Sequence, residues 1–359
     1  MECPQIPEIG YAETSLGLHK KAGSRRVPIN GVIELTSRCN LKCVHCYIRD
    51  TEHRKELGYD EICNILDQIA DEGCLWLCFT GGEPLTRPDF KDIYSYAKHK
   101  GFLITLFSNA TLITPSMADF LAAEPPFIID ISLYGMTAET YEKVTGIPGS
   151  FDRFMKGIEL ALDRHLPLKF KSMVINLNAH EFHDMRRWAK SLGVNHRYDM
   201  NINCKIDGNT EPVQYRLTPE EVISLQAEDK ELAESVSKEL TRLCKVRSEN
   251  PYLYLCSAGV HNFYITSDGK LNICVFSSMP NHDLRTRSFH EGFFDIFPKV
   301  RDIKRTRFSE CQVCPALNVC GYCPASAILE RDDPESIDET ECRTAKLMLD
   351  TFVNRNNPG

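Results

Sequence analysis

Three cysteines lie close together in one short stretch of the chain. Cys39, Cys43 and Cys46 follow the pattern C-x3-C-x2-C. A cubane [4Fe–4S] cluster normally takes four cysteines, one for each iron. Three thiolates therefore leave one iron without a protein ligand, and a small molecule can bind and react at that open position. Buried structural thiols and a zinc site are the alternatives, although zinc sites usually pair two C-x2-C units.

A second candidate is the turn Gly81-Gly82-Glu83-Pro84, which follows the second predicted strand. Two glycines let the backbone approach a ligand closely, and Glu83 offers an acceptor for a cationic amine. A plain tight turn is the default interpretation of such a sequence. The functional interpretation gains weight because the turn follows the strand next to the cysteine loop.

Seven further cysteines lie in the last part of the chain. They are Cys256, Cys274, Cys311, Cys314, Cys320, Cys323 and Cys342. The two close C-x2-C pairs also allow a zinc ribbon that holds one or two ions. Seven cysteines do not divide into four-ligand sites, and they correspond to one full cluster plus one three-cysteine cluster.

The elements that must position these residues form a repeating pattern between residues 31 and 205. Short apolar runs alternate with helical patterns, such as the apolar face of Ile62, Ile65, Leu66 and Ile69 in a predicted helix over 59–71. Strands are predicted at 32–35, 75–79, 102–107, 127–133, 168–175 and, more weakly, 196–203. This alternation implies a parallel sheet with right-handed crossovers, in an α/β fold that forms a partial (β/α)6 TIM-like barrel. Chemistry in such barrels lies on the loops after the strands, where the cysteine loop is found.

Three segments flank this predicted barrel. Residues 1–30 show no clear periodic pattern and are predicted to form an N-terminal arm. Residues 206–250 are charged and helical and are interpreted as a bridge. Residues 251–359 are predicted to form a small, cysteine-rich α+β domain.

Composition excludes several classes of function. The chain has 359 residues and a net charge of −8, which argues against nucleic-acid binding. It has no apolar run long enough for a transmembrane helix and no signal pattern at its start, so we expect a cytoplasmic protein without a membrane partner. In such a protein, 16 cysteines favour metal or catalytic thiols over disulfides.

With these motifs in place, residues 31–205 resemble the radical S-adenosylmethionine (SAM) superfamily. The resemblance is carried by the cysteine loop, the 81–84 turn, Ser108-Asn109 after strand three and Ser132 on strand four. It implies that SAM chelates the open iron and is cleaved to a 5′-deoxyadenosyl radical, which abstracts hydrogen from a substrate. It also implies a set of SAM contacts, namely His45 beside the adenine, Gly81, Gly82 and Glu83 at the methionine amine, Ser108 and Asn109 beside them, and Ser132 and Lys171 at the carboxylate or ribose.

Residues 251–345 resemble the SPASM extension of that superfamily, which carries two auxiliary [4Fe–4S] clusters. The resemblance implies that Cys311, Cys314, Cys320 and Cys342 bind one cluster, while Cys256, Cys274 and Cys323 bind the other. The fourth ligand of the second cluster is missing from the seven cysteines. The spacing Cys320-x2-Cys323 departs from the x3 found in most members. With the cluster of the first loop, three [4Fe–4S] clusters are expected.

The resemblance implies a maturase of ribosomally made peptides that forms thioether or carbon–carbon crosslinks or modifies side chains. Only 38 residues precede Cys39, so a leader peptide is expected to bind the barrel or a separate protein. Val275 follows Cys274 where the sulfatase-maturing branch has an acid, which disfavours that activity. A flavodoxin or ferredoxin is the expected electron donor.

Two other functions stay open. One is a radical SAM dehydrogenase, decarboxylase or epimerase that acts on a sugar or tetrapyrrole. Cys204, just past strand six, is a candidate hydrogen-atom donor for such an epimerase. The other is a non-catalytic iron–sulfur or zinc protein, which has no use for the 81–84 turn and Ser132.

Overall fold

The computed structural model describes residues 11–48, 55–244, 251–308 and 310–354. Its helices are α1 (Tyr11–Arg25), α2 (Tyr59–Asp71), α3 (Phe90–His99), α4 (Pro115–Ala123), α5 (Ala138–Thr145), α6 (Ser150–Asp163), α7 (Phe182–Ser191), α8 (Pro219–Ala227), α9 (Lys230–Cys244), α10 (Phe297–Arg301), α11 (Pro324–Arg331) and α12 (Glu339–Leu349). Its strands are β1 (Asn30–Thr36), β2 (Trp76–Gly81), β3 (Leu103–Ser108), β4 (Ile128–Ser132), β5 (Leu168–Met173), β6 (Asn195–Asp199), β7 (Asn262–Ile265), β8 (Lys270–Asn272) and β9 (His282–Asp283).

One sheet organises the fold. Its strand order is β6-β5-β4-β3-β2-β1-β7-β8-β9, and β1 to β6 are all parallel. The sheet is open at both ends, which confirms the predicted α/β fold with a partial barrel of six strand–helix units. The carboxyl ends of the parallel strands lie at one edge, where loops from different strands meet.

The sheet continues beyond the six predicted strands. β7 pairs in parallel with β1, with Asn30 opposite Asn262 and Ile33 opposite Ile265. β8 and β9 then add antiparallel strands. The cysteine-rich segment after residue 251 therefore begins as an extension of the barrel sheet.

Helices cover one face of the sheet and bury its apolar residues. In α2, Ile62, Ile65, Leu66 and Ile69 are all buried, as the predicted apolar face requires. They pack in one core with alternate strand residues such as Leu106 and Phe170, because successive side chains of a strand point to opposite faces. The opposite face, which we call the inner face, includes Asp130 and Lys171, because each is next in sequence to a buried residue of the helix-covered face, Ile131 and Phe170.

The N-terminal segment differs from the predicted arm, because residues 11–25 form helix α1. His19 stacks on Trp76 of β2 with ring centroids 5.0 Å apart. The Arg26 guanidinium donates hydrogen bonds to the carbonyls of Gly259 and Phe293. Tertiary contacts of this kind stabilise a helix whose own sequence shows little periodicity. Residues 1–10 of the predicted arm lie outside the described residues.

Within the described residues, no helix combines the length and apolar character needed to cross a membrane.

Candidate functional site

The cysteine loop begins directly after β1 and is fixed against the end of α5. The N–H groups of Lys42 and Val44 donate to the carbonyls of Thr145 and Val144, at 2.8 and 3.0 Å. Gly146 ends α5 with a φ of +70°, and a Cβ there would lie 2.7 Å from the Lys42 carbonyl. A glycine is therefore needed where the helix end meets the loop.

The loop brings its three thiols close enough to influence one another electrostatically. Burial, more than any other cause, raises the pKa of Cys39 to about 11, and the nearby Cys46 adds to the shift. Burial likewise raises the pKa of Cys43 well above its usual value, with further contributions from Cys46 and Cys39. Iron must therefore displace protons from these thiols when it binds.

All cysteines in the described ranges are free thiols. In the same ranges, no three His, Cys, Asp or Glu side chains surround the position of a single metal ion. The three thiols of the loop suit a cluster, which takes one thiolate at each of several irons.

The glycines of the 81–84 turn contact the protein's own backbone. Gly81 has a φ of +142°, and a Cβ there would lie 2.1 Å from the Thr36 carbonyl oxygen. At Gly82 a Cβ would lie 2.1 Å from the Arg38 carbonyl oxygen, and the Gly82 N–H donates to the Thr36 carbonyl. The sequence predicts that these glycines admit a ligand, whereas the close approach in the structure is to the start of the cysteine loop.

Glu83 is buried at the centre of this junction. Its carboxylate accepts hydrogen bonds from the Asn109 N–H at 2.7 Å, the Ser108 hydroxyl at 3.0 Å and the Leu85 N–H at 3.2 Å. Burial raises the pKa of Glu83 to about 7, although the three hydrogen bonds act in the opposite direction. The carboxylate thus joins the turn after β2 to the end of β3.

Asn109 extends the junction to the cysteine loop. Its Nδ2 donates to the Asn40 side-chain oxygen at 3.0 Å and lies 3.8 Å from the Cys39 sulfur. Its Oδ1 accepts from the Thr111 hydroxyl at 2.6 Å, and the Asn40 amide donates to that hydroxyl at 2.7 Å. An N–H donor beside a cluster sulfur is one of the features that set a cluster's potential.

A further connection runs through Arg87, which the sequence pattern did not indicate. Its Nη1 donates to the Leu35 carbonyl at 2.7 Å and to the Leu57 carbonyl at 3.0 Å. An ion pair with Asp89 at 2.7 Å completes the contacts of this buried guanidinium. Only the approach of β1 to the turn reveals this role, since no local pattern marks it.

His45 lies inside the protein. It is 8% exposed, and its ring meets Tyr134 edge to face at a centroid distance of 4.6 Å. Burial lowers the pKa of His45 to about 4, so the imidazole is neutral near pH 7. A neutral ring beside the cysteine loop suits the predicted contact with adenine.

Ser132 and Lys171 are partners on neighbouring strands of the inner face. Ser132 forms a side-chain hydrogen bond with Tyr134. The Lys171 ammonium lies over the Phe107 ring, 4.6 Å from its centroid. The two residues therefore lie next to each other at the carboxyl edge of the sheet.

The C-terminal cysteines surround a cavity between the bridge segment and the last helices. Its lining includes five cysteines, namely Cys311, Cys314, Cys320, Cys323 and Cys342. Burial raises the pKa of Cys320 to about 11, and Glu341, Cys311 and Cys342 raise it further. The structure therefore brings together the four predicted ligands of one auxiliary cluster, and Cys323 borders the same cavity.

The remaining predicted trio also lies together. Burial raises the pKa of Cys274 to about 12, and the nearby Cys323 and Cys256 add to the shift. Cys256 is exposed, whereas Cys274 and Cys323 are half-buried. The buried Tyr254 lies close enough to all three for their charges to act on its hydroxyl, and no sequence motif marks this tyrosine.

Cys204 is completely buried. The charged groups that act on its thiol are Glu330, Arg216 and Asp207. Arg216 donates two hydrogen bonds to the Glu330 carboxylate, at 2.9 and 2.8 Å. Its surroundings are thus the junction between the bridge and α11. Its role as a hydrogen-atom donor stays a prediction.

Comparisons with known proteins agree with this geometry. The family model described as the radical SAM superfamily matches residues 33–189. The AdoMet-dependent heme synthase of Methanosarcina barkeri is 28% identical over 322 residues, which are 84% of this chain and 92% of that protein. The antilisterial bacteriocin subtilosin biosynthesis protein AlbA of Bacillus subtilis is 27% identical over 313 residues, 83% of this chain and 67% of AlbA.

The fold is also similar to a solved structure. The crystal structure of SuiB from Streptococcus suis bound to precursor peptide SuiA superimposes with a TM-score of 0.69 at 18% identity. The match covers 95% of this chain and 83% of SuiB. The cysteine loop, the 81–84 turn and the ends of β3 and β4 all lie within the segment that the family model matches. Residues 33–189 therefore match the radical SAM superfamily, and the protein is an enzyme, as are the relatives that align over most of its length.

Proposed function

We propose that this protein modifies a ribosomally synthesised peptide by radical chemistry, through oxidative crosslinking (thioether or carbon–carbon) or another side-chain change. When bound at the cysteine loop, a [4Fe–4S] cluster supplies the electron that cleaves SAM to a 5′-deoxyadenosyl radical, which takes hydrogen from the substrate. The ligands are Cys39, Cys43 and Cys46. A flavodoxin or ferredoxin is the proposed source of the electron.

The observation that carries the proposal is the network that runs from the buried Glu83 through the buried Asn109 to the exposed Cys39. It fixes the predicted SAM-binding turn against the predicted cluster loop. Reaction at an open iron needs the reacting groups held in one geometry, and loss of that geometry costs rate. A non-catalytic electron carrier has no need for such a junction.

The other SAM contacts follow from the same edge of the sheet. We assign His45 to the adenine, because its neutral ring belongs to the cysteine loop and lies beside Tyr134. Ser132 and Lys171 are proposed for the carboxylate or ribose, since they are paired on adjacent strands. Glu83 is proposed to orient the methionine amine through its carboxylate, whose pKa burial raises to about 7.

The C-terminal cysteines are proposed to hold two auxiliary [4Fe–4S] clusters in a SPASM domain. The shared cavity supports the first set, which consists of Cys311, Cys314, Cys320 and Cys342. The mutual effects within Cys256, Cys274 and Cys323 support the second set. When held by these cysteines, an auxiliary cluster would supply an acceptor for the electron left after hydrogen abstraction, which suits a net oxidation.

Named relatives support a peptide substrate. AlbA is a bacteriocin biosynthesis protein, and the mycofactocin maturase MftC of Mycobacterium tuberculosis is 31% identical over 168 residues. SuiB, which shares the fold, is bound to a precursor peptide. A leader peptide is proposed to bind either the barrel or a separate protein.

A second candidate substrate is an iron tetrapyrrole. Two heme synthases align over 84% and 82% of this chain, a larger share than most of the peptide-directed relatives cover. The Fe-coproporphyrin III synthase of Methanosarcina barkeri is 38% identical over 129 residues. Iron coproporphyrin III, the tetrapyrrole that this last relative is named for making, is therefore the tetrapyrrole to test beside peptides.

The first experiment tests radical generation. Protein reconstituted anaerobically with iron and sulfide is reduced in the presence of SAM, and 5′-deoxyadenosine is measured by mass spectrometry. We expect the product from wild type, its loss in Cys43→Ala and its retention in Cys314→Ala. Absence of the product from wild type that holds its full iron contradicts the enzymatic proposal.

The second experiment separates the two substrates. The reduced enzyme with SAM is incubated with iron coproporphyrin III, or with peptides encoded by genes beside its own. A peptide product with a mass lower by the hydrogens of one crosslink supports the first candidate. A change of mass in the tetrapyrrole alone rejects it in favour of the second.

A further inference from the structure

Lys169, Lys171 and Arg197 lie on the inner face of the sheet. Their neighbours along each strand point to the helices, since Phe170 stacks on Trp188 of α7 at 5.0 Å. Tyr198 of β6 likewise packs edge to face on Phe182, at the start of the same helix. Because side chains alternate between faces, the three cations project away from these helices.

Two of these cations are direct neighbours across strands. In the pairing of β5 with β6, Lys171 lies opposite Arg197, and Lys169 lies opposite Asn195. Like charges directly opposite one another destabilise a sheet. The pKa of Lys171 is lowered by burial first and by Arg197 second, in keeping with this proximity.

The cations have few protein partners. In the part of the chain that the structure describes, none of the three forms an ion pair within 4.0 Å or a side-chain hydrogen bond. Asp130 on β4 lies opposite Lys169 in the pairing of β4 with β5, and its charge interacts with all three cations. One carboxylate oxygen of Asp130 is buried without a hydrogen-bond partner.

Other acids near the inner face are engaged elsewhere or lie at its edge. Glu34 accepts from the Ser267 N–H at 3.2 Å and from the Tyr264 hydroxyl at 3.4 Å. Asp199 is exposed and accepts from the Asn201 N–H at 2.9 Å. The cations therefore outnumber the acids that face them.

The cationic group also faces the reaction site. Lys171 lies opposite Ser132 in the pairing of β4 with β5. Tyr134, two residues further along the chain, meets His45 of the cysteine loop edge to face at a centroid distance of 4.6 Å. A molecule that spans these side chains lies between the cation group and the cysteine loop.

We propose that Lys169, Lys171 and Arg197 bind a carboxylate of the substrate, while Asp130 accepts a hydrogen bond from a donor on the same molecule. This rests on the proposed function and narrows its substrate to a carboxylate-bearing class. A carboxylate relieves the repulsion between the paired cations and gains charge-assisted hydrogen bonds. Lys171 then contacts the substrate as well as the SAM-binding region.

Binding measurements test the site without any need for turnover. The probes for the reconstituted enzyme are iron coproporphyrin III with its methyl ester, and a glutamate-rich peptide with its glutamine counterpart. Each pair differs in carboxylate charge. The variants are K169Q and R197Q, and the control is K156Q, whose exposed ammonium pairs with Glu159 on the outer helix α6. Lys171 is left unchanged because it is also a predicted SAM contact.

We expect one acidic probe to bind wild type about tenfold or more tightly than its neutral counterpart. K169Q and R197Q lose most of that preference, while K156Q keeps it and all variants keep wild-type SAM affinity. Equal affinity for acid and neutral probes in both pairs overturns the proposal, as does an unchanged preference in both K169Q and R197Q.

The pair that shows the preference identifies the source of the carboxylate. Failure of the proposed function is seen separately, as absence of 5′-deoxyadenosine in wild type. Arg197 is exposed and its loss removes no core contact, so we expect R197Q to keep its fold. Thermal melting of each variant checks that the fold is retained.

Discussion

The buried carboxylate of Glu83 makes a sharp prediction about stability and pH. Its pKa in the folded protein is about 7, above its ordinary value of 4.5. Unfolding exposes the group and restores the lower value, so the unfolded chain releases this proton first as pH rises. The contribution of Glu83 is therefore most favourable below pH 4.5 and is lost as pH rises towards 7.

The magnitude follows from the difference in pKa. A difference of this size, at about 1.4 kcal/mol for each pKa unit, corresponds to roughly 3 kcal/mol over the full titration. Between about pH 5 and pH 8, some 2 to 3 kcal/mol of this falls within reach of experiment. Glu83 is only 1% exposed, so solvent screening reduces this little.

Glu83→Gln removes the titration. The amide also leaves a donor facing the Asn109 N–H, which costs about 1 to 3 kcal/mol at every pH. The stability of E83Q relative to wild type should therefore rise by about 2 to 3 kcal/mol from pH 5 to pH 8. Cys39 stays protonated in this range in cluster-free protein, so it does not mask the effect.

Urea unfolding of the cluster-free proteins, followed by tryptophan fluorescence, measures this difference. Both tryptophans of the chain, Trp76 and Trp188, lie in the barrel and report on its unfolding. The control is Glu159→Gln, an exposed carboxylate on α6, for which the difference from wild type should be flat. A relative stability of E83Q that stays level or falls with rising pH refutes the argument, because it means that the three hydrogen bonds outweigh burial.

Three further outcomes are expected. Asn109→Ala should destabilise the barrel by about 1 to 2 kcal/mol, because its side-chain hydrogen bonds are lost. It should also shift the cluster's reduction potential to more negative values, since a donor near the Cys39 sulfur is lost. A redox titration followed by electron paramagnetic resonance measures this shift. Gly82→Ala should lower the free energy of unfolding by about 1 to 3 kcal/mol or more and reduce the iron bound per chain. The control is Gly17→Ala, where nothing lies within 4 Å of the added Cβ, and its iron content should equal that of wild type. Arg216→Lys should lower the free energy of unfolding by about 1 kcal/mol and increase proteolysis at the junction with α11, because lysine cannot make both hydrogen bonds to Glu330. An unchanged digestion pattern contradicts this prediction.

Much of the barrel could be predicted because its signals are local. The apolar positions of α2 repeat at helical spacing, and the structure has this helix at the predicted Tyr59–Asp71. The strands differ from the prediction by a few residues at their ends. Helix α1 was missed because contacts such as that of His19 with Trp76, which lie far apart in sequence, stabilise it.

The rest depends on pairings that no local pattern contains. The short strand β7 joins β1 across some 230 residues of sequence, so its place in the sheet is a tertiary property. The glycines of the 81–84 turn attract attention in the sequence, but only the fold shows that Thr36 and Arg38 lie against them. The alternation of Lys169, Phe170 and Lys171 indicates a strand with one polar face, yet the opposing Arg197 appears only through the register of β5 and β6.

The two proposals assign radical generation and substrate choice to different parts of this sheet. Glu83, Asn109 and Cys39 form one connected unit at the strand ends, so a change in any of them should disturb the others. Lys169 and Arg197 lie on the inner face outside that unit. Because they share no hydrogen bond with it, K169Q and R197Q should leave substrate-free cleavage of SAM unchanged while they weaken substrate binding. A fall in that cleavage that matches the loss of binding means that the two parts are coupled, and the cation group then belongs to the SAM site.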